Sequence, residues 1–199
     1  MLAGGAGRRL GSAGASGGPG AGAPSKAVAK LAGRPLVAYP LAALAEVCAR
    51  LAVICKRATV LPAIGAAERW EEPDEPRHPL TGIVHALEHA QAPVLVCAAD
   101  MPFVTPDVLR ALVDAPADPP AVVAATERGL EPLLALYRPA ALPCLHAAPQ
   151  RESLRATVAG LDPVLVPVAE RVARSVNTPA DLATAEAELG ARATAGERA

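Results

Sequence analysis

Short apolar runs along the chain are separated by longer segments in which apolar residues recur at helical spacing, a pattern typical of an α/β fold. The clearest run is Pro93–Ala99, and shorter runs occur at Leu51–Cys55 and Ala121–Ala125. Fully apolar runs of this kind predict strands that are buried on both faces of a parallel sheet. Val164–Val168 is predicted as an edge strand, because Pro167 cannot donate a ladder hydrogen bond.

The segments between these runs predict helices. Leu36–Ala49 has an amphipathic pattern. Thr105 and Thr178 are each followed by proline, so each is predicted to be an N-cap with proline at the first helical position. The remaining helices are predicted from Pro106 to about Asp114, from Ile83 to about Gln91, over Pro139–His146, and from Glu152 onward.

The stretch Leu2–Gly11 is rich in glycine and contains Arg8 and Arg9. Closely spaced glycines let backbone N–H groups approach a phosphate without interference from Cβ atoms. The arginines add fixed positive charge, and Lys26 adds a mobile charge suited to a phosphate. The stretch therefore predicts a nucleotide-phosphate loop.

Two other glycine motifs fit this stretch less well. The spacing of Gly5, Gly7 and Gly11 is one residue too long for the dinucleotide-binding pattern. A Walker loop requires a glycine before its lysine, and Lys26 does not have one. Both interpretations are weak.

Asp100 stands at the carboxyl end of the clearest strand. A buried acid is costly there unless a cation or hydrogen-bond donors satisfy it. Mg²⁺ binds one or two carboxylates together with phosphate oxygens and water, so Asp100 is the candidate metal ligand; the alternative is that it only caps the following turn. Lys56 and Arg57 stand at the carboxyl end of another predicted strand, Leu51–Cys55. They are either neighbours of a bound phosphate or part of a solvated strand end.

Length and charge restrict the class of protein. A chain of 199 residues with 2% aromatic residues suits one domain with an aliphatic core, and a net charge of −1 gives no basic field for nucleic acid. No apolar run approaches the roughly 20 residues needed to cross a bilayer, and no signal-peptide segment is evident, so a cytoplasmic protein is expected. The four cysteines are expected to be free thiols: Cys48, Cys55, Cys97 and Cys144.

Several motifs together resemble those of the MobA-like nucleotidyltransferases. They are Leu2–Gly5, Arg9–Gly11, Lys26 and Gly33–Leu36. The resemblance implies an α/β fold, a single three-layer α/β/α Rossmann-like domain with a mostly parallel sheet, over residues 1–189. Residues 12–24 would be a flexible insertion and residues 190–199 a frayed tail. Family members have a full strand before the first motif, so we expect the true start to lie upstream of Met1, with a stub strand as the alternative.

Further segments carry the same resemblance. Pro79–Gly82 resembles the family's Gly-Pro-Leu-x-Gly loop, with His78 in place of the first glycine. Asp100–Phe103 matches Asp-Met-Pro-Phe, and Asn177–Leu182 matches Asn-Thr-Pro-x-Asp-Leu. Glu131–Tyr137 resembles the strand that returns near the substrate.

The resemblance also implies a base-reading acid. Glu68–His78 is acidic and contains prolines, so it is not expected to be a regular helix throughout. Family members have an acid before the Pro-Leu motif that contacts guanine, and a carboxylate can accept from both the ring N–H and the exocyclic amine. Glu71, Glu72 and Asp74 are the candidates, and the spacing favours Glu71; a solvated acidic loop is the alternative.

Other roles follow from the same resemblance. Lys26 and Arg8 would stabilise charge on the triphosphate, and Asp100 would bind Mg²⁺ and contact the nucleotide. Gly82 and Asn177 would contact the acceptor substrate. Backbone contacts to the nucleotide would come from Leu2, Ala3, Gly4 and Gly5.

The implied reaction transfers GMP from GTP to molybdopterin carrying molybdenum and releases pyrophosphate, with molybdoenzymes or their chaperones as partners. A cytidylyl version or a non-catalytic nucleotide-binding protein are the alternatives. His85, Glu88 and His89 also fit a zinc-protease motif, but the sequence singles out no third ligand.

Overall fold

The chain forms a central sheet with helices on both faces, in a computed structural model that describes residues 1–3, 28–116, 118–149 and 151–196. Lys30–Leu31 and Arg34–Pro35 form a short antiparallel hairpin whose turn contains Gly33 at a φ of 77°. In chain order the elements are β1 (Lys30–Leu31), β2 (Arg34–Pro35), α1 (Ala38–Ala45), β3 (Ala52–Cys55), β4 (Glu68–Glu71), α2 (Pro79–Ala90), β5 (Val94–Cys97), α3 (Pro106–Val113), β6 (Ala121–Thr126), β7 (Gly129–Tyr137), α4 (Leu142–Ala147), α5 (Leu154–Ala159), β8 (Val164–Pro167) and α6 (Pro179–Gly196).

The N-terminal segment Met1–Ala3 joins two groups of strands into one sheet. Leu2 N donates to Cys97 O at 3.0 Å, and Ala3 N donates to Ile54 O at 2.9 Å. These bonds place the segment parallel to and between β3 and β5. The strand order is therefore β4, β3, Met1–Ala3, β5, β7, β6, β8. β7 runs antiparallel to its neighbours and the other pairings in this sheet are parallel, which confirms the predicted mostly parallel sheet.

The same segment places the terminal amino group inside the molecule. The ammonium of Met1 donates to Ala52 O at 2.8 Å. Burial lowers the pKa of this ammonium to about 6. Met1–Ala3 thus lies between β3 and β5 in the centre of the sheet.

Two hydrophobic layers cover the sheet, which confirms the three-layer architecture. α1 and α3 pack on one face, and their buried residues Leu41 and Leu109 belong to the same cluster. α2, α4 and α5 pack on the other face with Tyr137 of β7. α6 closes one side of the domain by packing Ala185 against β1 and Val176.

The structure differs from the sequence expectations in several elements. β4 is a strand that the acidic, charged pattern did not predict. α2 begins at Pro79 rather than Ile83, so the Pro79–Gly82 segment is its first turn and not a loop. α1 is shorter than predicted.

The cysteines are free thiols as expected, with Cys55 and Cys97 buried in β3 and β5. Burial raises the pKa of the Cys97 thiol to about 12. None of the helices in the described part of the chain combines the length and the apolar character of a membrane span.

Candidate active site

Candidate residues meet at one edge of the sheet, where parallel strands end. β3, β4 and β5 run in the same direction as Met1–Ala3, so their carboxyl ends lie on the same edge. Lys56 and Glu72 follow β3 and β4 directly, and Asp100 follows β5 after a short turn. Ligands of open α/β sheets bind outside this edge, so the arrangement defines a candidate nucleotide site.

Glu72 is the buried acid at this edge, with 8% of its surface exposed. Its backbone N–H donates to Cys55 O at 3.0 Å, which extends the pairing of β3 and β4 by one residue. Trp70 is buried two residues earlier, and side chains in a strand alternate between faces, so Glu72 continues the buried face of β4. A lysine compensates the buried charge, because Lys56 Nζ lies 3.4 Å from Glu72 Oε1.

Glu71 has a different environment from the one the sequence spacing suggested. Its carboxylate lies 3.3 Å from Arg69 and 3.4 Å from Arg57, on the exposed face of β4. Asp74 is exposed in the loop that follows. Of the three predicted base-reading acids, the structure therefore brings Glu72, and not Glu71, to the interior of the site. The spacing from the Pro-Leu motif does not take account of the alternation of side chains along a strand. This alternation decides on which face of β4 each acid lies.

Gly82 lies in the first turns of α2, directly against Glu72. A Cβ atom built on Gly82 would be 2.9 Å from Glu72 Oε2 and 2.4 Å from Leu2 Cδ2. The helix begins here because Pro79 supplies a favourable first residue and His78 caps it, with Nδ1 accepting from Leu80 N at 3.2 Å. Glycine thus permits close contact between Met1–Ala3, β4 and α2.

Asp100 is partly buried and lies next to the segment that carries Asn177. Val176 N donates to Asp100 O at 2.8 Å, so the residue before Asn177 is fixed to the backbone of Asp100. Asn177 is held from the other side, because its N–H donates to Asp181 Oδ2 at 2.9 Å. The structure therefore brings these two predicted site residues together.

Asp100 fits a magnesium ion that is bound together with a nucleotide. Among the described residues, no three His, Cys, Asp or Glu side chains form a metal cluster. Mg²⁺ is commonly held by one or two carboxylates and completes its coordination with phosphate oxygens and water. The Asp100 carboxylate at this edge suits that coordination.

The predicted phosphate contacts lie largely outside the described residues. Gly4, Gly5, Arg8 and Lys26 belong to residues 4–27, as does the insertion at residues 12–24. Leu2 and Ala3 are placed at the edge of the site, immediately before this stretch.

The histidines of the zinc-protease motif have packing roles. His89 stacks on Trp70, with ring centroids 4.1 Å apart, and His85 lies 6.1 Å from His89. Glu88 pairs with His146 at 3.1 Å. These contacts support the helix-face interpretation of the motif.

Sequence analysis missed a second partly buried acid at the same edge, Glu131 in the first residues of β7. Its carboxylate lies 3.1 Å from Arg155 Nη2, and burial raises the pKa of Glu131. Ala98 N donates to Leu133 O at 2.9 Å, so β7 enters the sheet beside the end of β5. The apolar run after Glu131 predicted the strand but gave no sign of this ion pair.

A mostly parallel sheet with Asp100 and the buried Glu72 at its carboxyl edge has the form of a nucleotide-binding α/β domain. The family model described as the MobA-like NTP transferase domain matches residues 1–164. The chain therefore belongs to the MobA-like NTP transferase family, and it is a nucleotidyltransferase.

Individual relatives agree with this assignment. A "probable molybdenum cofactor guanylyltransferase" of Natronomonas pharaonis is 34% identical over 182 residues, which span 82% of this chain and 89% of that protein. A protein of the same name from Deinococcus radiodurans is 37% identical over 170 residues, which span 79% of this chain and 83% of that protein.

A solved structure supports the same fold. The crystal structure of molybdopterin-guanine dinucleotide biosynthesis protein A from Archaeoglobus fulgidus matches with a TM-score of 0.71 and 26% identity. The match covers 95% of this chain and 96% of that chain.

Proposed function

We propose that the protein transfers GMP from GTP to the phosphate of molybdopterin carrying molybdenum and releases pyrophosphate. The observation that carries the guanine assignment is the burial of the Glu72 carboxylate beside Gly82, at the edge that also holds Asp100. A carboxylate can accept hydrogen bonds from both the ring N–H and the exocyclic amine of guanine. The names of the relatives support the acceptor.

The reaction needs positioning and charge neutralisation rather than an enzyme nucleophile. An oxygen of the acceptor phosphate attacks the α-phosphorus of GTP, the bond from that phosphorus to the bridging oxygen breaks, and pyrophosphate leaves. Asp100 would hold Mg²⁺, which supplies neutralising charge to the phosphates when it is bound. Lys26 and Arg8 would contact the triphosphate, and the backbone of Leu2–Gly5 would hold it in place.

The acceptor would bind on the side of Asp100 where Asn177 lies. Asn177 follows Val176, whose N–H is bonded to Asp100 O at 2.8 Å, so an acceptor held by Asn177 would meet the α-phosphate near Asp100. This arrangement would bring the two substrates together at the carboxyl end of β5.

Calorimetric titration of GTP and CTP in the presence of Mg²⁺ tests the proposal. We expect the wild type to bind GTP more tightly than CTP, and Asp100→Asn to weaken GTP binding by about tenfold or more, since a charged metal ligand is lost. Asp107→Asn is the matched control, because Asp107 is an exposed acid that pairs with Arg110 on the surface of α3.

The possible outcomes separate the alternatives. Failure of the wild type to bind either nucleotide would contradict the proposal, and tighter binding of CTP would favour the cytidylyl reaction. Incubation with GTP and molybdopterin should then yield the dinucleotide and pyrophosphate. Binding without turnover would indicate a nucleotide-binding protein that does not catalyse transfer.

A further inference from the structure

We propose that Lys56 is a positioning residue that holds the Glu72 carboxylate for base selection and thereby sets the preference for guanine over a purine without the exocyclic amine. The inference rests on the proposed function, because it assumes that Glu72 reads the base. It assigns to Lys56 a role in the base pocket rather than at the phosphates.

The contacts of Lys56 are directed toward β4. Its Nζ lies 3.4 Å from Glu72 Oε1 and also donates to the carbonyl oxygen of Pro73. The Lys56 side chain is 16% exposed and the Glu72 side chain 6%, so water screens the pair far less than a surface pair. Lys56 therefore contacts the reading carboxylate and the backbone that follows it.

This arrangement limits the positions of the carboxylate. Lys56 holds Oε1 on one side, while Oε2 lies close to Gly82, at 2.9 Å from the position of a Cβ on that glycine. A carboxylate can accept about four hydrogen bonds, so the contact with Lys56 leaves capacity for two donors of guanine. Without the ammonium, Glu72 would be a buried charge with less compensation, and it would turn toward water.

Arg57, the neighbouring cation, has a different environment from Lys56, although the sequence suggested the same role for both residues. The Arg57 side chain is 85% exposed and pairs with Glu71 at 3.4 Å. Lys56 follows β3 on the interior of the site, and Arg57 lies on its surface. Replacing either removes one positive charge, but only Lys56 contacts the buried acid.

Binding of GTP, ITP and CTP to the wild type and five variants tests the inference. ITP lacks the exocyclic amine, so the ratio of its Kd to that of GTP reports how well the carboxylate reads the base. The variants are Lys56→Met, Glu72→Gln, the double variant of both, and the matched control Arg57→Met. Lys56→Gln, which keeps an amide donor for Pro73 O, is measured in parallel, and thermal melting shows that each variant is folded.

We expect the wild type to prefer GTP over ITP by about tenfold, the value of one charge-assisted hydrogen bond. Lys56→Met and Lys56→Gln should reduce this ratio to within about threefold of one, and Arg57→Met should leave it unchanged. The double variant should not have a lower ratio of the two Kd values than Glu72→Gln, because Lys56 acts through Glu72.

Other results would overturn the inference. If both Lys56 variants keep the wild-type ratio while Glu72→Gln loses it, Glu72 reads the base without help from Lys56. If they weaken GTP, ITP and CTP equally, Lys56 acts on the phosphates that the nucleotides share. If Glu72→Gln keeps the ratio, Glu72 does not read the base, and the role of Lys56 that depends on it is ruled out as well. If the wild type binds none of the nucleotides, the proposed function itself is contradicted.

Discussion

Gly82 leaves room for the Glu72 carboxylate and for the Leu2 side chain because it has no Cβ atom. Replacement by alanine would place a methyl group 2.4 Å from Leu2 Cδ2 and 2.9 Å from Glu72 Oε2. Both atoms end flexible side chains, so they can move, and alanine favours a helix over glycine by about 0.5–1 kcal/mol. We therefore expect Gly82→Ala to displace the carboxylate and reduce the preference for GTP over ITP by about fivefold, with little change in the free energy of unfolding.

The measurement pairs nucleotide titration with urea unfolding. Gly190→Ala is the matched control, because Gly190 lies within α6 and a Cβ built there meets no atom within 4 Å. This control should gain stability without changing selectivity. Unchanged selectivity in Gly82→Ala would show that the Glu72 carboxylate does not need its observed position.

At the residue scale, sequence reasoning gave three candidate acids but did not show which of them is buried at the carboxyl edge of the sheet. Glu71 and Glu72 are adjacent, and their side chains lie on opposite faces of the end of β4. The buried Trp70 carried the signal, because a residue two positions away shares its face. That argument requires a strand at Glu68–Glu71, which the charged pattern concealed.

At the element scale, the N-terminus of α6 fixes the segment that carries Asn177. Asp181 Oδ2 accepts from Asn177 N at 2.9 Å and from Thr178 N at 2.8 Å, while Thr178 Oγ1 accepts from Asp181 N at 3.1 Å. The hydrogen bond from Asn177 N is the main cause that lowers the pKa of Asp181 below its usual 3.8. We expect Asp181→Ala to reduce the free energy of unfolding by about 1 kcal/mol at neutral pH.

The pH dependence follows from the direction of this shift. A lowered pKa in the folded state means that the stabilisation is present above the unfolded value of 3.8 and is lost as the pH falls through the folded value. The difference between wild type and Asp181→Ala, measured by urea unfolding, should therefore shrink below pH 3.8. Asp181→Asn can still accept a hydrogen bond and should show a smaller loss at neutral pH. Equal stability of wild type and Asp181→Ala at neutral pH would contradict this role.

Elements with strong local signals were predictable, and those that depend on neighbours were not. The caps at Thr105 and Thr178 were confirmed, because threonine followed by proline determines a helix start locally. β4 was missed because it is an edge strand with one buried residue, Trp70. Its other residues are charged, which suits an exposed edge but hides the apolar pattern of a strand. The first turn of α2 was taken for a loop because the cap at His78 was not recognised.

For the whole molecule, the segment Met1–Ala3 links the two groups of strands. Ile54 N donates to Met1 O at 2.8 Å on one side, and Ala99 N donates to Leu2 O at 3.0 Å on the other. Any opening that separates the groups must break these bonds. We expect GTP with Mg²⁺ to slow hydrogen exchange at both Ile54 and Ala99, by about a hundredfold when the nucleotide is at a hundred times its Kd.

Exchange measured by mass spectrometry with and without GTP checks this expectation, with CTP as the control nucleotide. Protection of peptides on both sides of Met1–Ala3 would show that binding stabilises the joined sheet. Protection confined to the peptide that contains Ile54, with Ala99 unchanged, would contradict the coupling. The sequence predicted a mostly parallel sheet but not the order of its strands, because the pairing through Leu2 joins residues that are far apart in sequence.

Trp70 gives the molecule a spectroscopic probe of its own. It is the single tryptophan of the chain, it is buried in β4 two residues before Glu72, and Arg50 lies 5.3 Å from its ring centre. Its emission therefore reports on β4 and the adjoining Glu72 rather than on an average over the molecule. Guanine and hypoxanthine occupancy could be followed optically without a label, and a change in β4 could be distinguished from unfolding elsewhere.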